Sequence, residues 1–580
     1  MPASPTNPDE FRQSLQQHIA ILYPNEPAAD LIASIESVFV DFLNPNTNCG
    51  ELWTADDCLL ITYGDSIRSK GIRPLETLAE FLEGRARDVF SSVHVLPFSP
   101  YSSDDGFAVI DYTQVNPDLG DWQDLSRLAD GHRLMGDLVI NHVSSKSEWF
   151  RNYCEGKSPG ADYFVEIADD DDLNMVVRPR TSPLRRPTET PSGTKQVWCT
   201  FSHDQVDLNF QNSKVLLEFL RIIRLYLEKG VSVFRLDAVG FLWKVPGLTS
   251  IHLPETHEAV RLIRTVLDNF APGSVLITET NVPNHENLSY FGNCNEAHVV
   301  YNFSLAPLLV HALLTGQTIY LKRWMMSMPP SPVGCTYLNF TASHDGIGMR
   351  PAEGLLSDQE QAQMVDTIRS FGGQISSRKA ADGTEKVYEL NISLFDAMRG
   401  TIAGPDSFQV DRFLCSQTVM MALEGIPAFY IHSLLATPND LEGLQKTGHN
   451  RSINRRKLDY AEIIDDLNDE QTTRSIVFTE LTRRLRIRRS QPAFHPNATQ
   501  FTLQLDAAFF AFWRQSTDRQ QSIFAIHNMT ANPQELRLGD LNLISLDQWY
   551  DLLSENQYSD LGETLTLKPY QCVWITNTAS

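Results

Sequence analysis

Eight short apolar runs, separated by stretches of helical periodicity between residues 58 and 432, constrain this chain more than any other feature. They are Leu59–Tyr63, Val93–Phe98, Gly136–His142, Val231–Ala238, Val275–Thr280, His298–Asn302, Tyr337–Phe340 and Ile426–Ile431. Runs of this length, rich in β-branched residues, read as parallel strands buried on both faces. Stretches such as Ser213–Lys229 and Glu255–Asp268 read as the crossover helices that parallel neighbours need. Eight such units predict an α/β fold, a (β/α)8 TIM barrel, whose chemistry gathers where strand carboxyl ends converge.

The spacing departs from a bare barrel in three places. Almost ninety residues separate the third run from the fourth, including Asp169–Asp172 and the turn-rich Pro187–Gly193, and this predicts an inserted subdomain after strand 3. Around Gly372–Lys386 the Gly, Ser, Lys and Asp content predicts a mobile loop. Beyond about residue 495 short alternating strands (Ala508–Trp513, Ser522–His527, Thr564–Leu567, Cys572–Ile575) predict a small all-β domain. The organisation expected is a helical extension over 1–55 with a turn at Asn44-Pro45-Asn46, a barrel over 56–142 and 206–495, subdomain B over 143–205, and a β-domain over 496–580.

Charge and composition exclude several classes. A net charge of −24 leaves no basic excess for phosphates of nucleic acid. No apolar stretch approaches the ~20 residues of a membrane span, and the N-terminal segment has no basic and apolar leader. Eight scattered cysteines without a Cys-x-x-Cys pair fit free thiols, so a cytoplasmic setting is expected. No metal signature appears, and Asp169–Asp172 reads as a solvated acidic loop rather than a calcium site. Glu155-Gly156-Lys157-Ser158 lacks the first glycine of a phosphate-binding P-loop.

Two strand ends carry acids. Val-Ser-Val-Phe-Arg-Leu-Asp-Ala brings Arg235 and Asp237, and Val-Leu-Ile-Thr-Glu-Thr brings Glu279. A carboxylate pair on neighbouring strand ends can cleave a glycosidic bond, one group attacking the anomeric carbon and the other moving protons. Arg235, two residues from Asp237 on the same strand face, can lower the pKa of that carboxylate, whereas burial or a neighbouring negative charge raises one. A third acid lies in Thr-Ala-Ser-His-Asp-Gly-Ile-Gly (His344, Asp345), and Gly-Asp-Leu-Val-Ile-Asn-His ends the third run with Asp137, Asn141 and His142.

In order and spacing these four segments resemble the α-amylase superfamily, glycoside hydrolase family 13, over roughly residues 58–490. The resemblance implies Asp237 as nucleophile, Glu279 as general acid/base and Asp345 as a third carboxylate gripping sugar hydroxyls, with Arg235, His142 and His344 around the same ring. Leu96–Tyr112, Arg235–Gly240, His344–Gly348 and Arg451–Arg455 look like the sucrose phosphorylase group. That likeness implies a glucose-binding Asp104 and a phosphate site of Arg180, Tyr388 and Arg451, with inorganic phosphate as co-substrate and no other cofactor. Guanidinium forks suit phosphate oxygens. A monomer or homodimer acting on a small glucoside is expected.

The chain departs from the sucrose type at Trp198-Cys199-Thr200, at Ser343, and at Glu389, where an amide is the rule in the fructose site. The likeness is then to relatives that cleave α-glucosylglycerol or α-glucosylglycerate. Glu389 can accept from two polyol hydroxyls, whereas glycerate needs a cation, which Arg350, Arg180 or Arg378 can supply. The balance favours phosphorolysis of 2-O-α-glucosylglycerol. Glucosylglycerate phosphorylase and sucrose phosphorylase are the alternatives, with an α-glucosidase or transglucosidase behind them.

Overall fold

The computed structural model describes residues 7–44, 51–180, 182–379, 385–541, 543 and 548–578. All eight runs form strands: β1 (Leu59–Thr62), β2 (Ser92–Val95), β3 (Arg133–Val139), β4 (Val231–Asp237), β5 (Val275–Thr278), β6 (Val299–Tyr301), β7 (Thr336–Phe340) and β8 (Ile426–Tyr430). Each pairs in parallel with its sequence neighbours, and β1 also pairs with β8, which closes the barrel. Helices fill the crossovers, among them α1 (Ser213–Glu228) and α2 (Pro254–Phe270), each burying an apolar stripe against the strands. The fold is the (β/α)8 barrel expected, with an all-β sheet after it.

Between β3 and β4 the chain leaves the barrel through His142–Ser144, which pairs antiparallel with the returning Gln205–Asp207. The excursion contains a three-stranded sheet and a separate small core of Ile167, Leu184 and Trp198. Its root is pinned by the buried Lys244, whose ammonium reaches Asn141 Oδ1 at 2.6 Å and Asp207 Oδ2 at 3.0 Å. Ahead of β1, helices Pro8–Leu22 and Ala28–Val38 lie on the outer face of the barrel helices, where Phe11 and Phe39 pack on Phe270. The turn expected at Asn44-Pro45-Asn46 falls, after Asn44, outside the described residues.

The segment Gly372–Lys386, expected as a mobile loop, is part of a hairpin. Gln374–Lys379 pairs antiparallel with Glu385–Asn391, and a third strand, Ile347–Gly348, completes the sheet. Residues 380–384 at its tip lie outside the described residues. Polar composition conceals these strands because their ladder partner arrives from another part of the chain. After β8 a six-stranded sheet, which includes Phe509–Gln515, Ser522–Asn528 and Cys572–Thr576, forms its own apolar cluster. The expected strand Thr564–Leu567 pairs apart from it, with Gln534–Arg537.

Candidate active site

Period-two alternation puts Arg235 and Asp237 on one side of β4, and the register sets Arg235 opposite Asp137 of β3. The Arg235 guanidinium therefore faces two carboxylates: it donates to Asp137 and, from the same nitrogen, to Asp237 Oδ1 at 2.8 Å. His94 on β2 reaches the other oxygen of Asp137 at 2.7 Å. Burial opposes ionisation of Asp137, but His94 and Arg235 outweigh it and hold its pKa at about 2. Glu279 is the first residue beyond β5; its Oε2 accepts the Ala238 N–H at 3.1 Å and lies 3.9 Å from Arg235. That N–H belongs to a residue in the left-handed region, φ 51°, a turn that non-glycine residues adopt at some cost.

Burial pushes both Asp237 and Glu279 above the usual carboxylate range, Arg235 opposes the shift, and nearby carboxylates add to it. The expected depression of Asp237 is thus undone by desolvation, and because Arg235 is shared with Asp137. Asp237 has the direct contact to Arg235, and Glu279 accepts the Ala238 N–H.

Asp345 follows β7. Burial opposes its ionisation, but Arg451, Arg455 and Arg235 outweigh this and lower its pKa. Arg451 Nη1 forms an ion pair with its Oδ1 at 2.5 Å. His344 stacks on Phe107, their ring centroids 5.0 Å apart, and His142 Nε2 lies 2.9 Å from the Phe107 carbonyl. Burial keeps both histidines below their ordinary pKa, hence neutral hydrogen-bonding groups at pH 7. Asp104 sits on the loop after β2 beside Gln205, which donates to it at 3.3 Å. There Asp104, Asp105 and Gly106 all have positive φ, and a side chain at Gly106 would meet Pro97 at 2.7 Å, so only glycine fits.

Asp104, His142, Arg180, Arg235, Asp237, Glu279, His344, Asp345, Tyr388 and Arg451 all line one cleft that opens to solvent. Glu389 does not line it. Only 1% of its side chain is exposed, and both oxygens are engaged by Arg451, Nη2 to Oε1 at 2.5 Å and Nε to Oε2 at 3.1 Å. The assignment of Glu389 to substrate is therefore corrected: it holds Arg451. Neighbouring residues in a strand point to opposite faces, so Tyr388 looks into the cleft and Glu389 away from it. Trp198 and Thr200 are likewise buried, the indole donating to Thr200 and Thr200 donating to Asp207.

The lining of the cleft also includes Asn281, His252 and Arg350. Arg180 lies over the Tyr388 ring at 5.6 Å. Burial lifts the Tyr388 hydroxyl to about 12, and burial with nearby cations lowers His252 to about 4, so both are neutral at pH 7. Arg235 is matched by three carboxylates, Arg451 by two, and Arg378 by Glu353 at 2.6 Å. Among the described residues, Arg180 and Arg350 have no carboxylate within ion-pair distance.

Gln205, His252 and Asn281 escaped the sequence reading. Asn281 alone left a signal, since it lies two residues after Glu279. Gln205 enters from the inserted subdomain, and no pattern near it points to the cleft. Among the described residues no group of three or more His, Cys, Asp or Glu side chains is placed to hold a metal ion, and no helix is long and apolar enough to cross a membrane.

Residues 90–328 match the alpha-amylase catalytic domain. The glucosylglycerate phosphorylase of Spirochaeta thermophila is 43% identical over 90% of this chain and 90% of its own. The glucosylglycerol phosphorylase of Marinobacter adhaerens is 29% identical over 75% of this chain and 88% of its own. The crystal structure of sucrose 6F-phosphate phosphorylase from Thermoanaerobacter thermosaccharolyticum superimposes with a TM-score of 0.72 at 25% identity, covering 83% of this chain and 96% of that one.

Proposed function

The chain belongs to the α-amylase family, among its disaccharide phosphorylases, and from that premise we propose that it is a glucosylglycerate phosphorylase, a hexosyltransferase that retains configuration. Glucosylglycerol, the reading favoured from sequence, gives way because Glu389 was its basis and that carboxylate is closed onto Arg451. Of the cleft-lining residues around Arg350, Asn281, His252 and Tyr388 are neutral, and the unmatched guanidinium group of Arg350 carries the conclusion. An anionic acceptor relieves this half-buried unpaired cation, whereas glycerol or fructose leaves it so. The name of the 43%-identical relative supports the same choice.

Asp237 Oδ2 attacks the anomeric carbon while Glu279 gives its proton to the departing glycosidic oxygen, and glycerate leaves. The intermediate is a glucosyl ester on Asp237. Glu279, now ionised, takes a proton from the incoming hydrogen phosphate, whose oxygen attacks the same carbon and displaces Asp237. Two inversions return α-glucose 1-phosphate. Arg180, Tyr388 and Arg451 receive the phosphate, whose charge matches the fork of a guanidinium better than water does. Asp104, Asp345, His142 and His344 hold the glucosyl ring through both steps.

The test is phosphate-dependent release of glucose 1-phosphate from glucosylglycerate, glucosylglycerol and sucrose in parallel. Glucosylglycerate is expected to have a kcat/KM at least about tenfold above the others, the scale of one charge-assisted contact. A preference for glucosylglycerol, or release of free glucose at a rate indifferent to phosphate, overturns the proposal.

A further inference from the structure

A phosphorylase acting on glucosylglycerate handles two anions at one anomeric carbon, glycerate departing and phosphate arriving. On that reading of the function, which this step rests on, we infer that the two anions have separate anchors: Arg350 grips the glycerate carboxylate, and Arg180 with Arg451 takes the phosphate. Arg350 is thereby the residue that selects an acidic acceptor over a neutral polyol.

The placement of the three arginines carries this assignment. Arg350 stands on the short helical turn Arg350–Ala352 that follows the strand Ile347–Gly348. Its Nε is buried, and no hydrogen-bond acceptor meets it among the described residues. A buried guanidinium nitrogen without a partner is costly unless a ligand supplies one. Asn281, also at this end of the cleft, presents a buried side-chain oxygen without a donor. Gly348 makes room for it, since a Cβ there would fall 2.7 Å from the Asn281 amide. The two orphans suit the two ends of a 2-hydroxy acid: carboxylate on Arg350, hydroxyl on Asn281.

Arg180 and Arg451 occupy a different place. Both act electrostatically on Asp345 and on Tyr388, the groups beside the reacting carbon, and Arg451 touches Asp345 directly. The groups whose charge acts on Arg350 are Arg378, Tyr388, Glu286 and Glu353, and Arg350 in turn acts on His252; Asp345, which Arg180 and Arg451 both act on, is not among them. Arg350 thus stands on the His252 side of the cleft, away from Asp345. Burial and the neighbouring Arg378 disfavour its charge, and a bound carboxylate reverses that penalty.

The experiment uses the full chain and two exchange reactions from glucose 1-phosphate. One measures glucosyl transfer to D-glycerate against glycerol; the other measures return of labelled inorganic phosphate into glucose 1-phosphate with no acceptor present. Arg350→Gln is expected to lower kcat/KM for glycerate roughly 10- to 100-fold, to narrow or invert the glycerate-to-glycerol ratio, and to affect phosphate exchange at least tenfold less. Arg180→Gln is expected to show the opposite split. Arg350→Lys, which restores a charge without the fork, should recover part of the glycerate preference. Continued phosphate exchange in Arg350→Gln, and continued glucosyl transfer to glycerate in Arg180→Gln, show that each variant is folded. If Arg350→Gln lowers both reactions equally, Arg350 is a shared anion site; if it leaves the ratio unchanged, Arg350 is structural. Either result overturns the assignment while the function stands, provided wild type prefers glycerate. A wild type that does not prefer glycerate overturns the function and this assignment together.

Discussion

Replacing Glu389 by glutamine separates two roles that the sequence leaves open, acceptor ligand and support for Arg451. The change preserves shape and removes one charge. Glu389 now accepts two charge-assisted bonds from Arg451, at 2.5 and 3.1 Å, and one from Asn391 at 3.3 Å. A glutamine keeps one carbonyl for the guanidinium and turns an NH2 toward its other nitrogen, so two charge-assisted bonds become one. At ~1.5–3 kcal/mol for a charge-assisted bond, the loss is about 1.5–3 kcal/mol. It stays at or below the ~3–5 kcal/mol of a fully unpaired buried charge, because Arg451 retains Asp345. Calorimetry should register this as a Tm lower by roughly 1–3 °C. In phosphorolysis, Arg451 freed of one carboxylate should hold phosphate more firmly, so KM for phosphate falls several-fold while the ranking of acceptors persists. Pairing with Arg451→Gln in a double-mutant cycle should return a coupling of at least ~1.5 kcal/mol. An unchanged Tm together with altered acceptor ranking would refute the reasoning and return Glu389 to the acceptor site.

Two further outcomes test the catalytic strand ends. Asp237→Asn should lose nearly all turnover with the fold intact, and wild type should yield only the α-anomer of glucose 1-phosphate by NMR; a β-product, or a tenth of the activity surviving in the variant, defeats the double displacement. Asp137, held at about pKa 2 by His94 and Arg235, contributes stability that is complete above its unfolded value of ~3.9 and lost as pH falls toward 2, about 2.5 kcal/mol in all. Asp137→Asn should therefore cost stability at pH 7 and flatten the decline between about pH 4 and 2, and urea unfolding curves that stay parallel to wild type across that range would show the buried pair to be unimportant.

The barrel was legible in the sequence because its signals are local. A parallel strand covered on both faces must be apolar throughout, so each of the eight runs announces itself, and Arg235, Asp237 and Glu279 stand where those runs stop. Helix Pro254–Phe270 appeared within three residues of its expected ends for the same reason: its apolar positions recur with the helical period. The hairpin carrying Tyr388 and Glu389 lacks such a pattern, since its third strand comes from Ile347–Gly348 and the ladder bonds, rather than apolar content, hold it.

Which charge meets which countercharge was decided only in three dimensions. By itself the sequence determined that Asp237, Glu279 and Asp345 stand at strand ends or just beyond them, and that several arginines accompany them. It did not determine that Arg451 closes on Glu389 from 62 positions away, that Arg235 is shared between Asp137 and Asp237, or that Arg180 and Arg350 are left over. Hydrophobic burial follows from residue type and period, which a sequence displays. An ion pair depends on distances of a few ångströms between residues far apart in the chain, and on the water removed around them, both of which exist only once the barrel has closed.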